Sequence, residues 1–470
     1  MSKYRKAIRL LALTFTACCG ALLPGTCAAQ QQGPPPLAQF MAAAGQMPQP
    51  SPQAMPTTTP APDTAPLLTR AAAEQLALRN NPRSSIARLL ALAQGQVTRE
   101  VRSAELPNLT GALTAVDTHT NDRITAGFLN NPYVFNRAAG GVMLRQLITD
   151  FGRTHNLILS AQASQQAEVE TQLATEQDIV LAVDQAFYQA LIAQAVLKVA
   201  QQAVATLKNT SDEVRALTES KLRSNLDLDF ANVQLSQARL FLLDAQNNAQ
   251  VAMDNLDVLL GSERRDIYSL QDDSPAALEP APEDAEPLVQ LAFRSRPDLA
   301  ALNEDYIAAN RLTTATRELW LPTASAIVAS GGTPDRSNSI LTSWYAAAGA
   351  NIDVPLFNGF LYNARAREAE LREGAAQERV RDLRDVIARD VRAAVLSAQT
   401  NFQRIAVSEE LLKESNLALE LAKDRYQLGL SGIIELSQAQ LAQTQAEIGN
   451  ANARYLYRIS QATIRYQTGQ

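Results

Sequence analysis

The sequence predicts a mostly α-helical chain of mixed α and β type, built from two copies of one unit: a helix, two strands and a long helical hairpin. Three observations predict it. "QLALRNNP" (75–82) returns as "QLAFRSRP" (290–297) with five of eight positions identical. Leu-Pro pairs, Leu106-Pro107 and Leu321-Pro322, each end 25 residues after the terminal proline of those stretches. Further on, Ile179, Val183, Ala186 and Ala190 match Ile387, Val391, Ala394 and Ala398. Three matches in one order mark a duplicated unit of about 200 residues.

The N-terminus reads first. Lys3, Arg5, Lys6 and Arg9 precede an apolar run from Leu10 to Leu23 and then small residues before Gln30. That is the three-part pattern of a secretory signal peptide, placed at 1–29. All three cysteines, Cys18, Cys19 and Cys27, fall inside it, so cleavage near Ala28 or Ala29 leaves a mature chain without thiol chemistry. Cys27 is the alternative, as a lipidated first residue, although Pro24, Gly25 and Thr26 fit a lipobox poorly. Residues 30–67 form a Pro/Gln-rich flexible leader. Of the 22 prolines, ten lie between 30 and 69, beside one charged residue, Asp63. Such a segment buries too little apolar surface to offset its ordering entropy. A second break, "DDSPAALEPAPEDAEP" (272–287), carries four prolines and six acids and reads as a connector between a first repeat at 68–271 and a second at 288–470.

Each repeat opens with a helix ending at its Leu-Pro pair, about 70–105 and 287–320. Two short strands follow, then a helical pattern from 153 to 260 and from 360 to 467. Residues 153–260 hold neither glycine nor proline. Ile179, Val183, Ala186, Ala190, Ala193, Leu197, Ala200, Val204 and Leu207 step by four and three. Ile387, Val391, Ala394, Ala398, Ile405, Leu412, Leu419, Ala422 and Tyr426 keep the same rhythm, with Asn401, Ser408 and Ser415 in the remaining seam positions. This is a coiled-coil repeat. Phe187 and Leu191 add a second apolar edge. About 70 helical residues would span ~105 Å, so the chain must reverse. "RYQLGLSGIIELSQAQL" (425–441) supplies the reversal, with Gly429 and Gly432 free to take positive φ. In the first copy Asn225 is expected to take the left-handed position, and Asp229 to stand opposite Glu435. Glu435 also suits a helix start, where an anion gains ~0.3–1 kcal/mol.

In "WYAAAGANIDVPLF" (344–357) an apolar set from Trp344 to Val354 alternates with a set that becomes polar at Asn351 and Asp353. Leu109, Leu113 and Ala115 alternate with Asn108, Thr110 and Thr114 in the first copy. Four strands cannot close a barrel, so their edges call for other copies of the chain. No stretch after the leader offers the ~20 apolar residues of a membrane helix. The formal net charge is −6 with no basic stripe, which argues against a nucleic-acid binder. His119 and His155 are the only histidines, and neither has a partner at metal or triad spacing. Neither a phosphate loop nor a nucleophile elbow is present. An enzyme, a cofactor and a metal are not expected.

Together these features resemble the TolC-type outer-membrane efflux channel family over about residues 68–470. The resemblance rests on the two "NNP/SRP" stretches, the Leu-Pro strand entries, "LRQLITDFGRT" (144–154) with "IDVPLFNGF" (352–360), and "YQLGLSGIIELSQAQ" (426–440). It implies a homotrimer whose twelve strands form one barrel in the outer-membrane lipid, continued by a periplasmic α-helical barrel. It further implies docking with a periplasmic adaptor protein and an inner-membrane pump, and passive export in efflux or type I secretion. A constriction at the helix turns would be lined by acids and tied by tyrosine and arginine. Tyr426 matches the tyrosine, and Glu435 and Asp229 match acids. Departures are Ser431 where arginine can stand, Gln438 at a further acidic position, and Arg223 where glycine is common. The other reading is a secreted coiled-coil scaffold or adhesin without a pore, which explains the heptads but not the duplicated plan.

Overall fold

The structure, a computed structural model, describes residues 67–116, 137–262, 268–272, 278–336 and 343–470. The expected signal peptide, residues 30–66 of the expected leader, and His119 lie outside the described residues. A two-residue strand, β1 (Leu67–Leu68), leads into α1 (Arg70–Asn80), α2 (Pro82–Arg102), β2 (Asn108–Val116), β3 (Arg137–Thr149), α3 (Arg153–Glu219) and α4 (Asn225–Leu260). After β4 (Ser269–Leu270) the order runs again: α5 (Glu286–Ser295), α6 (Pro297–Arg317), β5 (Thr323–Arg336), β6 (Trp344–Asp353), α7 (Leu361–Gln427) and α8 (Ile433–Gln467). Both long helices have 67 residues, and the hairpins start 208 positions apart (153 and 361, 225 and 433). Helices α2 and α6 both have 21 residues and start 215 apart (82 and 297).

The opening helices are not continuous as expected. Each is broken before its proline, at Asn81 (φ −66, ψ 126) and Arg296 (φ −74, ψ 121). Proline at the first helical position is well placed, but its ring pushes the preceding residue into extended geometry. Asn81 then caps α2 by accepting from the Arg83 N–H at 2.9 Å. Both helices finish as 3-10 turns, Ser103–Glu105 and Glu318–Trp320, just before the Leu-Pro pairs. The leader also ends earlier than expected. Leu67 and Leu68 pair in parallel with Ser269 and Leu270, and Leu68 is buried against α3 and α4. The acidic connector is shorter too, since α5 already begins at Glu286. Its residues Leu278 and Ala281 pack on the cluster of Ala398, Ile405, Ala453 and Tyr457, and the Tyr457 hydroxyl donates to the Glu279 carbonyl at 2.5 Å.

The sheet is antiparallel with the order β2-β3-β5-β6, so the two central strands come from different halves of the chain. Pairing runs from Asn108↔Arg145 to Val116↔Arg137, and from Thr323↔Asp353 to Gly332↔Trp344. The β3–β5 ladder shifts register between Ala138 and Gly140 and between Leu147 and Thr149. Strand β6 stops at Asp353 rather than running to 357, because Pro355 has no N–H to give a ladder. All ten residues of β6 are exposed. So is every residue of 108–115 in β2.

The heptad seams face inward, and none of their residues is exposed. Phe187 and Leu191 join Ile179 and Val183 in one core with Ala73 and Ala77 of α1 and Leu256 and Leu260 of α4. Helix α3 contains an 18-residue window of mean hydropathy 1.4, apolar enough by composition to cross a membrane, which corrects the sequence expectation. The burial of Ile179, Val183, Phe187 and Leu191 in a protein core accounts for that apolarity.

Each hairpin is fastened to its own opening helices in the same way. Gly261 ends α4 at φ +72 against Asn80 and Asn81, and the Asn81 amide donates to the Leu259 carbonyl at 2.9 Å. Gly469 follows α8 at φ +72 against Ser295 and Arg296, and Arg296 donates to Gln467 at 2.5 Å.

Where α1, α3 and α8 meet, Asp184 is 2% exposed and accepts from Arg70 at 3.4 Å and Arg465 at 3.0 Å. Arg70 also pairs with Glu74. Buried charges persist when they are paired like this. Burial, and then the neighbouring Asp184 carboxylate, push Glu74 up to about 7 from an ordinary 4.5; Arg70 and Arg465 oppose that shift. The fold therefore favours protonated Glu74. The stability this lends is complete below about 4.5 and is lost as pH rises through about 7. Melting temperature should accordingly be higher at pH 5 than at pH 8. Glu74→Gln should flatten that slope, and an unchanged slope would place the titration elsewhere.

Candidate functional site at the helix reversals

The two hairpins turn by one mechanism. Helix α3 is closed by the Lys221 N–H donating to the Thr218 carbonyl and the Leu222 N–H donating to Leu217, both at 2.9 Å. Helix α7 is closed by Gly429 donating to Tyr426 at 3.1 Å and Leu430 donating to Arg425 at 2.8 Å. This is a Schellman closure with one left-handed residue just past the helix end. That residue is Gly429 (φ 69) in the second hairpin and Lys221 (φ 61) in the first. Asn225 is therefore not the left-handed residue expected; it opens α4 in helical geometry. Gly432 does not use positive φ either, and caps α8 at φ −88, ψ 166. A side chain on Gly429 would meet open space, so only backbone strain opposes one. Gly429→Ala should cost the turn about 1 kcal/mol, read as faster amide exchange across 425–433. Unchanged exchange would show that the turn tolerates a left-handed alanine.

The starts of the return helices differ. Ser224 and Asp227 form a capping box, each side chain accepting from the other's backbone N–H. Glu435 occupies the same third helical position in α8 but lies on Arg425, Oε1 to Nε 3.1 Å, with both side chains about half exposed. By helix position the counterpart of Glu435 is thus Asp227, not Asp229. Asp229 lies two residues further along α4 and is exposed. Lys221 stands where Gly429 does, so the first turn carries no glycine to mark its register in the sequence.

Tyr426 is 3% exposed and packs with Val214, Ala231, Ile433 and Leu436, one or more residues from each of the four helices. Burial raises its hydroxyl above the ordinary tyrosine range, and Arg223 opposes that. The Arg223 guanidinium lies 4.4 Å above its ring and donates to its carbonyl at 2.8 Å. A cation over an aromatic face is worth about 0.5–2 kcal/mol. Arg223, noted in the sequence only as a departure, therefore ties the first turn to the end of α7. A groove of about 490 Å³ opens between the hairpins, lined by amides including Gln202, Gln237, Gln440 and Gln443 and by Leu207, Phe241 and Leu441.

The chain thus combines an antiparallel four-stranded sheet, two long helical hairpins and a charged turn tied to the neighbouring helix end. The model for the family described as Outer membrane efflux protein matches residues 73–262 and 288–470. The chain belongs to that family. It is a family of efflux ducts rather than enzymes, and its members, this chain included, are outer-membrane proteins. The outer membrane protein TolC of Salmonella enteritidis is 23% identical over 385 residues, which cover 79% of this chain and 75% of that one. The solvent efflux pump outer membrane protein SrpC of Pseudomonas putida is 23% identical over 370 residues, 77% of each chain. The crystal structure of the outer membrane protein VceC from Vibrio cholerae aligns with a TM-score of 0.74 at 17% identity, covering 85% of this chain and 96% of its own. That likeness establishes a shared fold.

Proposed function

We propose that the protein is the exit duct of a tripartite efflux or type I secretion system, conducting substrates passively from periplasm to exterior. The observation that carries this is the sheet. Its edges, β2 and β6, are exposed on both faces, and an open edge in lipid would leave backbone groups unpaired at several kcal/mol each. Three copies, pairing β6 of one with β2 of the next, give a closed barrel of twelve strands with the hairpins continuing it into the periplasm. The two repeats then act as equivalent sectors of one tube. Asp229, Tyr426 and Glu435 form the gate at its tip, and Asn225, Gly429 and Gly432 belong to the reversals beside it. The amide-lined groove between the hairpins suits the helices of a periplasmic adaptor that joins the duct to an inner-membrane pump. Solvents, as the name of the Pseudomonas putida relative indicates, are one candidate cargo.

Mass measurement in detergent should give three chains, and planar bilayers should show a low-conductance, cation-preferring pore. A folded, stable monomer would remove the barrel. Folded, inserted trimers that conduct nothing would remove the duct.

A further inference from the structure

The constant spacing of the two hairpins lets every contact of α3 be carried to α7. Helix α3 meets helices of both halves of the chain: Thr98 of α2 donates to the Ala161 carbonyl, Ser160 donates to the Ala308 carbonyl of α6, and Asp184 meets Arg465 of α8. The corresponding far side of α7 is open. Leu371 is 60% exposed where α3 has Ala163 at 7%, and Leu396 is 64% exposed where α3 has Tyr188 at 4%. The complementary helices show the same contrast. Ile86 of α2 is 56% exposed where α6 has Ala301 at 7%, and Val258 of α4 is 72% exposed where α8 has the half-buried Tyr466.

We propose that the open side of α7 receives α2 and α4 of a second copy, in the geometry of the internal joint but with its charges inverted. The proposal rests on the homotrimer reading and specifies which residues meet. In the internal joint a carboxylate, Asp184, stands between Arg70 of α1 and Arg465 of α8. At the corresponding place on α7 stands Arg392, already paired at 3.0 Å with Glu286 of α5. The place of Arg465 is held by Asp257, buried in the last turn of α4. A carboxylate between two guanidiniums becomes a guanidinium between two carboxylates. The neighbouring contact changes as well. Tyr466 donates to Asp178 at 2.5 Å inside the chain, whereas the corresponding pair, Val258 and Val386, is apolar.

The inversion discriminates between the two joints. If α4 of another copy took the place of α8 on α3, Asp257 would face Asp184; if α8 moved onto α7, Arg465 would face Arg392. Like charges brought together at a desolvated joint oppose both errors, so α7 accepts only the intended helix. The paired residues thus set the order of sectors around the tube as well as adding contact.

Full-length protein carrying Val258→Cys and Val386→Cys, treated in membranes with a short bis-maleimide, should give a ladder up to trimers on denaturing gels, with none from either single variant. Arg392→Glu should reduce that ladder several-fold, and adding Asp257→Arg should restore it. Should the buried arginine prevent folding, Leu396→Asp, on the same exposed side of α7, should reduce the ladder in its place. Trimers by mass that never cross-link through this pair would overturn the proposed joint while leaving the homotrimer standing. Absence of any trimer would remove both. Cross-linking untouched by Arg392→Glu and by Leu396→Asp would overturn the inverted contact.

Discussion

Gly261→Ala and Gly469→Ala are each expected to destabilise the protein by roughly 3 kcal/mol or more, a range reserved for strain and overpacking. Both glycines sit at φ +72, which alone costs a residue with a Cβ about 1–2 kcal/mol. The new carbon at 261 would also lie 2.6 Å from the Asn80 carbonyl oxygen, and the one at 469 would lie 2.7 Å from the Ser295 carbonyl. These neighbours are backbone atoms at the break between opening helices and cannot swing aside. Relief would require lifting the hairpin end off Asn81 or Arg296 and losing the bonds to Leu259 or Gln467. Thermal unfolding and the yield of membrane-inserted protein read the effect. Gly429→Ala is the internal comparison, being left-handed but facing open space. Equal losses at all three positions would mean that close approach contributes nothing at 261 and 469.

Asp229→Gln combined with Glu435→Gln is expected to abolish block by multivalent cations from the periplasmic side and to weaken cation preference, with trimer assembly intact. In a trimer these two positions place six carboxylates around the tip. Crowded like charges resist full ionisation and attract counter-ions, and a trivalent ion gains from several at once. Glu435 is partly compensated by Arg425, so Asp229 should account for more of the block than Glu435 when each is replaced singly. Asp227 is the informative control. As half of a capping box it should cost about 1 kcal/mol of helix stability when replaced by alanine but leave ion block unchanged. Block that survives the double substitution would make these acids ordinary helix-start residues and leave the gate to Tyr426 and Arg223.

Much of the helical architecture was legible in the sequence because its signals are local and periodic. A heptad seam from Ile179 to Leu207 requires nothing beyond helix geometry, and the "RNNP" and "SRP" stretches recur with their spacing intact. The breaks at Asn81 and Arg296 were equally local, written in Pro82 and Pro297, but the longer apolar rhythm masked them. The turns were harder. Glycine marks a left-handed residue only where one is present, and Lys221 takes that conformation because the Schellman bonds from its own N–H and that of Leu222 hold it there.

The sequence by itself determined the helices, the strand alternation and the reversal between Gln427 and Ile433, since each depends on neighbours within one or two turns. Only the tertiary structure decided which partners those elements receive. It placed Arg223 on the Tyr426 ring, 203 positions away, and Arg465 on Asp184, 281 positions away. It also made Asp227 rather than Asp229 the counterpart of Glu435. Periodicity records which face of an element is buried, but a charge or a ring is matched only once the chain has brought a distant complement within a few ångströms. That is a property of the packed helices and leaves no local trace.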